Sequence, residues 1–262
     1  VSLASAGDVN GDGFADVIVG MPSADNHQGA AYVVFGSGSG FDANIALSSL
    51  DGSNGFKIEN TSTNIFAGFT VAGAGDVNGD GFDDVIVSAP FGAPGQSYGS
   101  NYTYGASYVV YGTNTGFPAS VDLANLDGSN GFALDSSPFS TLGSSVAGAG
   151  DVNGDHVDDL IIGSFGDGGT APAYVIFGSS AGFPAHVDAP ALVNGTDGFA
   201  IEGPPAFSSS VAAADVNGDG FADLIYTTNY PATAYVVLGT NAGFPATVDV
   251  TDLDGTNGFA IV

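Results

Sequence analysis

The chain contains no cysteine and no arginine, and its one lysine is Lys57. Without cysteine, no disulfide holds the fold and no thiol chemistry is open to it. One lysine against 28 acidic side chains leaves a formal charge of −27 over 262 residues. So negative a surface repels nucleic-acid phosphates and anionic membranes, and neither is an expected partner. Phosphate-cradling chemistry is not expected either, because it leans on arginine. No apolar run approaches the ~18 residues that would span a bilayer, so no membrane insertion is expected. No segment of helical length repeats apolar residues at three and four, which predicts almost no helix. The opening VSLASAG lacks an initiator methionine and the basic and apolar regions of a signal peptide. It reads as a mature or excised segment.

What the chain does have is 42 glycines, 12 prolines, and 19 Phe and 10 Tyr within a 44% hydrophobic content. This predicts a substantial core built from many short strands and turns. The landmarks recur in a fixed order. Acidic knots begin at Asp8 (DVNGDGFAD), Asp76 (DVNGDGFDD), Asp151 (DVNGDHVDD) and Asp215 (DVNGDGFAD), at spacings of 68, 75 and 64 residues. Small residues precede each knot (SLASAG, TVAGAG, SVAGAG, SVAAA), and DVIVG, DVIVS, DLIIG or DLIYT closes it. Then come AYVVFG, SYVVYG, AYVIFG and AYVVLG, and finally GFKI, GFAL, GFAI and GFAI. Each segment has the composition of a strand bounded by turn residues, so each unit carries about four strands. The prediction is an all-β fold: one propeller domain over 1–262, with four blades of four antiparallel strands at roughly 1–59, 60–135, 136–202 and 203–262. Radial repetition would remove most exposed sheet edges. The small residues of each first strand suit a crowded axis, and closure into a four-bladed ring is expected, with a fragment of a longer array as the alternative.

Numbered from its first aspartate, each knot offers oxygen at positions 1, 3, 5 and 9 and a backbone carbonyl at 7. The first loop supplies Asp8, Asn10, Asp12, Phe14 and Asp16; the second Asp76, Asn78, Asp80, Phe82 and Asp84. The third supplies Asp151, Asn153, Asp155, Val157 and Asp159; the fourth Asp215, Asn217, Asp219, Phe221 and Asp223. Hard oxygen donors without cysteine favour calcium over zinc, and crowded flexible geometry favours it over magnesium. Position 6 requires positive φ, and there the third loop has His156 instead of glycine, which predicts the weakest site. An EF-hand is excluded, since position 12 of the first loop is Val19, inside a strand. Ordinary Asp/Asn/Gly turns explain one such loop, but four in one register, each before a strand, argue for about four Ca²⁺, one per blade. Four ions would bring −27 to −19.

These elements resemble the FG-GAP repeat, the blade of the integrin α-subunit β-propeller that also occurs in bacterial secreted proteins. The resemblance rests on the small-residue strand, the DVNGDGFAD-type loop, the DVIVG-type strand and AYVVFG, and it covers essentially the whole chain. SAP (88–90) and GMP (20–22) approximate its Gly-Ala-Pro signature. The Phe-Gly half is degraded: IFAGF (65–69) and STLGS (140–144) approximate it, FSSS (207–210) lacks glycine, and the first unit has no counterpart. The resemblance implies a calcium-loaded propeller acting outside the cell as an adhesion or ligand-binding module. Integrin propellers have seven blades and share ligand with a second subunit's metal site, which nothing here supplies. The expected partner is an unknown protein or glycan. A structural subunit or repeat segment of an extracellular assembly or filament, with self-association, is the second reading, and an enzyme-associated accessory domain the third.

No enzyme is expected. His27, His156 and His186 stand in different contexts without a recurring serine or acid partner. Asp83 and Asp158 read as duplicate loop acids, and Glu59 and Glu202 as solvated strand ends. The insertion 92–105, with Tyr98, Tyr102 and Tyr104, suits sugar stacking or protein contact. Asn60, Asn101 and Asn194 fit the N-glycosylation pattern.

Overall fold

A computed structural model describes residues 1–60, 65–92, 105–135, 140–166, 172–203, 208–229 and 232–262. The apolar segments form the expected strands. The first strands of the four units are Ser2–Gly7, Val71–Gly75, Ser140–Gly150 and Ser208–Ala214. The aspartate at loop position 9 opens each second strand: Asp16–Met21, Asp84–Ala89, Asp159–Gly166 and Asp223–Asn229. The third strands are Ala30–Val34, Ala106–Val110, Ala173–Ile176 and Ala232–Val237. The fourth are Gly55–Glu59, Gly131–Asp135, Gly198–Glu202 and Gly258–Ile261. Within each unit they pair antiparallel in sequence order, as consecutive β-strands joined by short loops do. The result is four sheets, nearly all β, consistent with a four-bladed propeller. No helix is long and apolar enough to cross a membrane among the described residues.

The small residues of the first strands have a steric reason. A Cβ on Gly73 would lie 2.8 Å from the Ser5 carbonyl oxygen, and one on Gly148 would lie 2.7 Å from that of Gly73. Successive first strands thus pack backbone to backbone at the axis. The first three bulge at Gly7, Gly75 and Gly150, all at positive φ. The fourth strand is one residue shorter before its loop and pairs Ala214 directly with Asp223, so it carries no bulge there.

Two features depart from the sequence expectation. The first is a fifth, parallel strand in three of the sheets, lent by the following unit. Ser120–Asp122 adds to Gly55–Glu59, His186–Asp188 to Gly131–Asp135, and Thr247–Asp249 to Gly198–Glu202. Behind each lent strand a phenylalanine stacks on the ring of the receiving blade: Phe117 on Phe56 at 4.2 Å, Phe183 on Phe132 at 4.4 Å, and Phe244 on Phe199 at 4.4 Å.

The second departure concerns closure. The buried side chains form three apolar clusters, one at each junction between successive blades. Four blades in a closed ring would make four junctions. Among the described residues no hydrogen bond joins the fourth blade to the first, and Leu3 and Val17 of the first blade are 75% and 46% exposed. The four sheets are consistent with blades of one propeller, while among the described residues no contact that closes the ring between the fourth blade and the first is seen. Small residues at the axis set how closely neighbours approach, but they do not set how many neighbours complete a circle.

Candidate metal centre

The four acidic loops share one hydrogen-bond pattern. In the first, the Asp8 carboxylate accepts the N–H of Asp12 at 3.0 Å and of Gly13 at 2.9 Å. Asn10 Oδ1 accepts the Asp12 N–H, Asp12 Oδ1 accepts the Phe14 N–H, and Asn10 Nδ2 donates to Asp12 Oδ2. Asp76, Asp151 and Asp215 accept the corresponding N–H groups, with Gly81, His156 and Gly220 at position 6. These are Asx-type turns, in which side-chain oxygens take over the donors of a backbone that has turned out of regular structure. Position 6 lies at positive φ in every loop: 87° at Gly13, 93° at Gly81, 68° at His156 and 93° at Gly220. Glycine enters this region freely; His156 enters it at a cost.

The aspartate at position 9 behaves differently. Asp16, Asp84, Asp159 and Asp223 are at most 1% exposed. One oxygen of each accepts the N–H at loop position 2 (Val9, Val77, Val152, Val216). The other accepts the N–H of the glycine after the third strand: Gly36, Gly112, Gly178 or Gly239, at 2.7–2.9 Å. This residue ties its loop to the sheet. Burial strips its water and pushes the Asp84 carboxyl up to about 8 and that of Asp159 to about 7, with Asp80, Asp76, Asp155 and Asp151 adding repulsion. The two N–H donors only partly offset that loss.

Positions 1, 3 and 5 are thus brought together by shared backbone donors, and position 9 lies buried at the base of the loop, bonded both to it and to the sheet. Among the described residues no group of three or more acidic or histidine side chains gathers as a ready cation cage. The chemistry of each loop nevertheless fits a hard cation: three carboxylates and one amide oxygen, with no sulfur. His156 Nδ1 lies 3.5 Å from Asp151 Oδ2. No basic side chain offsets the loops, since Lys57 pairs with Asp25 at 2.7 Å and Glu59 at 2.5 Å.

Several acids have roles that the sequence did not disclose. Asp83 and Asp158 are junction residues: Oδ2 of Asp83 accepts the Asp8 N–H at 2.7 Å, and Oδ2 of Asp158 accepts the Asp76 N–H at 2.8 Å. Position 7 also works across a junction, the rings of Phe82 and Phe221 lying over Gly11 and Gly154 of the preceding loops. Glu59 is no solvated strand end: it accepts from Lys57 and from Ser120 Oγ on the lent strand. The signal available was the recurrence of GFPASVD, GFPAHVD and GFPATVD ahead of these contacts. Asn60 is 3% exposed, which leaves no room for a glycan in this conformation, whereas Asn194 is exposed. Asn101 and the three loop tyrosines lie outside the described residues. The histidines occupy separate places: His27 edge-on to Phe66, His156 by Asp151, and His186 Nδ1 3.5 Å from Asp135.

The FG-GAP repeat profile matches residues 1–34, 67–110 and 207–243. The third acidic loop, with its histidine, falls outside the matched segments. Integrin alpha-4 of Xenopus laevis is 31% identical over 166 residues, covering 61% of this chain and 14% of the relative. Integrin alpha-7 of Rattus norvegicus is 32% identical over 164 residues, covering 61% and 12%. Phosphatidylinositol-glycan-specific phospholipase D of Bos taurus is 32% identical over 158 residues, covering 57% and 17%. The chain therefore spans a small part of each relative, and the same likeness extends to a protein named as an enzyme.

Proposed function

Because this chain carries FG-GAP repeats, we propose that it is an extracellular, calcium-stabilised propeller segment serving adhesion or ligand binding, without catalysis of its own. The observation that carries the proposal is fourfold: one acidic loop, with one hydrogen-bond pattern, at every blade, in a chain with almost no positive charge to offset it. A cation held by positions 1, 3, 5 and 9 and the position 7 carbonyl would relieve that repulsion. Its binding energy would add to folding, because the unfolded chain has no assembled loop. The ion would supply charge neutralisation and stiffening, not a reaction. The likeness to integrin alpha chains supports a binding role, with an unidentified protein or glycan as ligand. The separate surroundings of the three histidines support the non-catalytic reading over the likeness to a phospholipase.

The test is thermal unfolding in ~5 mM Ca²⁺ and in excess EGTA, with calcium counted on the desalted protein. For dissociation constants of about 10⁻⁴ to 10⁻³ M, each site adds roughly 1–2 kcal/mol at that concentration. A lower Tm in EGTA and close to four ions per chain are expected. An unchanged melting curve with no bound ion would sink the calcium assignment. Glycan and protein arrays probed in both buffers then test the binding role, for which a calcium-dependent ligand is the expected result.

A further inference from the structure

The three lent strands repeat one geometry, but the groups they bring together differ in charge. Pairing sets His186 beside Ala133 and Tyr108, and Asp188 beside Asp135, all on one face of the second blade's sheet. In the first blade the same places hold Ser120, Lys57 and Tyr32, then Asp122 and Glu59. In the third they hold Thr247, Ala200 and Tyr174, then Asp249 and Glu202. Two acids therefore meet wherever a strand is lent.

In the first blade a permanent cation balances them: Lys57 donates to Glu59, whose other oxygen accepts from Ser120 Oγ. In the third no cation is at hand, and Glu202 and Asp249 stand exposed to water. The second blade has neither arrangement. Asp135 Oδ1 is buried without a hydrogen-bond partner, and so is the hydroxyl of Tyr108, a side chain wholly out of solvent. Asp188 adds a carboxylate that its own strand does not use. Asp122 and Asp249 accept the N–H two residues on, from Ala124 and Thr251. Two residues after Asp188 stands Pro190, which has no N–H to give, and Asp188 makes no such bond. The titratable groups that face Asp135 are thus Asp188 and His186 on the lent strand and Tyr108 on the third strand. Of these only His186 can carry positive charge. Its Nδ1 lies 3.5 Å from Asp135 Oδ2, longer than the ~3.2 Å of a formed hydrogen bond. The ring is 61% exposed, so it exchanges protons with solvent.

We infer that the strand His186–Asp188, lent by the third blade to the second, is latched by a proton. With His186 neutral, an uncompensated carboxylate is held partly out of water where the two blades meet. Once the imidazole is protonated it pairs with Asp135 through a charge-assisted bond, and the two acids gain the cation that Lys57 supplies in the first blade. Histidine is the side chain that ordinarily changes charge between about pH 5 and 8. At lower pH the Asp135 carboxyl is itself neutralised, and its burial no longer counts against the fold. Both events have one sign: the native state binds more protons than the unfolded chain, so the latch strengthens as pH falls. The junction of blades two and three is then tighter in mildly acidic surroundings than in neutral ones, while the Lys57 junction is indifferent to that change.

Melting of His186→Gln beside the wild type at about pH 5.5 and about pH 7.5 reads the latch. EGTA is present throughout, so the result stands apart from the calcium assignment. Titration of the acidic loops is common to both chains and cancels in their difference. The variant should melt with the wild type at the higher pH and roughly 2–4 °C below it at the lower. His186→Lys, whose charge does not depend on pH in this range, should melt above the wild type at the higher pH by a similar margin. In an Asp135→Asn background, His186→Gln should change nothing at either pH, because the partner of the imidazole is gone. A His186→Gln deficit absent at the lower pH, or as large at the higher, overturns the inference. So does a deficit that survives in the Asp135→Asn background.

Discussion

Val77 and Val216 occupy the same position of the same loop, in blades two and four. One is 1% exposed and the other 47%. Both donate their N–H to the buried aspartate of their own loop, so the local structure is the same. The difference lies at the junction: the Val77 carbonyl receives the Ser179 N–H, and among the described residues no such bond reaches the Val216 carbonyl. In this molecule burial belongs to the junction between blades rather than to the blade. Identical sequence therefore carries different energetic weight in the middle and at the ends.

The widest gap should appear at the stacked rings. Phe132 is fully buried and lies on Phe183, so Phe132→Ala should cost about 3–5 kcal/mol, as large truncations in a packed core do. Phe259→Ala, at the same position of the end blade, should cost under ~1 kcal/mol in dilute protein. Urea unfolding of the two variants gives both numbers. Equal losses would mean that the end blade is as well packed as the interior, contrary to the exposures above.

A middling effect is expected at loop position 6. His156 sits at φ 68° and Gly81 at φ 93° with open space where a Cβ would lie. The left-handed region costs a non-glycine residue about 1–2 kcal/mol, and glycine returns roughly 0.5–1 of that as chain entropy. His156→Gly should therefore gain ~0.5–1 kcal/mol, and Gly81→His should lose about as much. Chemical denaturation in EGTA isolates the backbone effect from any metal. Losses of the same sign in both swaps would show that the histidine ring, not φ, sets the energy.

How much of this was legible in the sequence follows from range. The strands, the order of the blades and the positive φ at position 6 are local, and each repeats four times, so pattern and spacing disclose them. His156 was visible as an exception for the same reason. The lent strands were not: each is three residues long, too short to show alternation, and its partner lies 63 positions away in the case of Lys57 and Ser120. Nor could spacing reveal that both oxygens of Asp16 and its equivalents accept backbone N–H groups and tie the loop to the sheet, beside the lone pairs left for a cation. The junction role of Asp83 and Asp158 was hidden by a different cause. The same position is Ala15 in the first unit and Ala222 in the fourth, where the Ala222 N–H to Asp151 bond at 2.9 Å makes the junction without a carboxylate.

The smallest effect, and the one with the clearest sign, is at the strand ends that receive the lent strands. Glu59 and Asp135 hold the same position in blades one and two. Hydrogen bonds from Lys57 and then Ser120 hold the Glu59 carboxyl below its usual range. Its contribution is therefore present above the unfolded-state value and is lost as pH falls through the lower folded value. Glu59 is partly exposed, so the pair contributes no more than ~1 kcal/mol. Burial pushes Asp135 upward instead, with the nearby His186 only partly opposing it, and Asp135 Oδ1 has no hydrogen-bond partner. A raised folded value means that the native state gains stability as pH falls from that value toward the unfolded one. Glu59→Gln should lose up to ~1 kcal/mol at pH 7, and the deficit should shrink at pH 3 as the Glu59 carboxyl takes up its proton. Asp135→Asn should be neutral or slightly stabilising at pH 7, because it removes a charge that the site does not pay to keep. Melting curves of the two variants at both pH values decide the matter. A Glu59→Gln deficit that persists at pH 3 would assign the loss to packing against the lent strand rather than to charge.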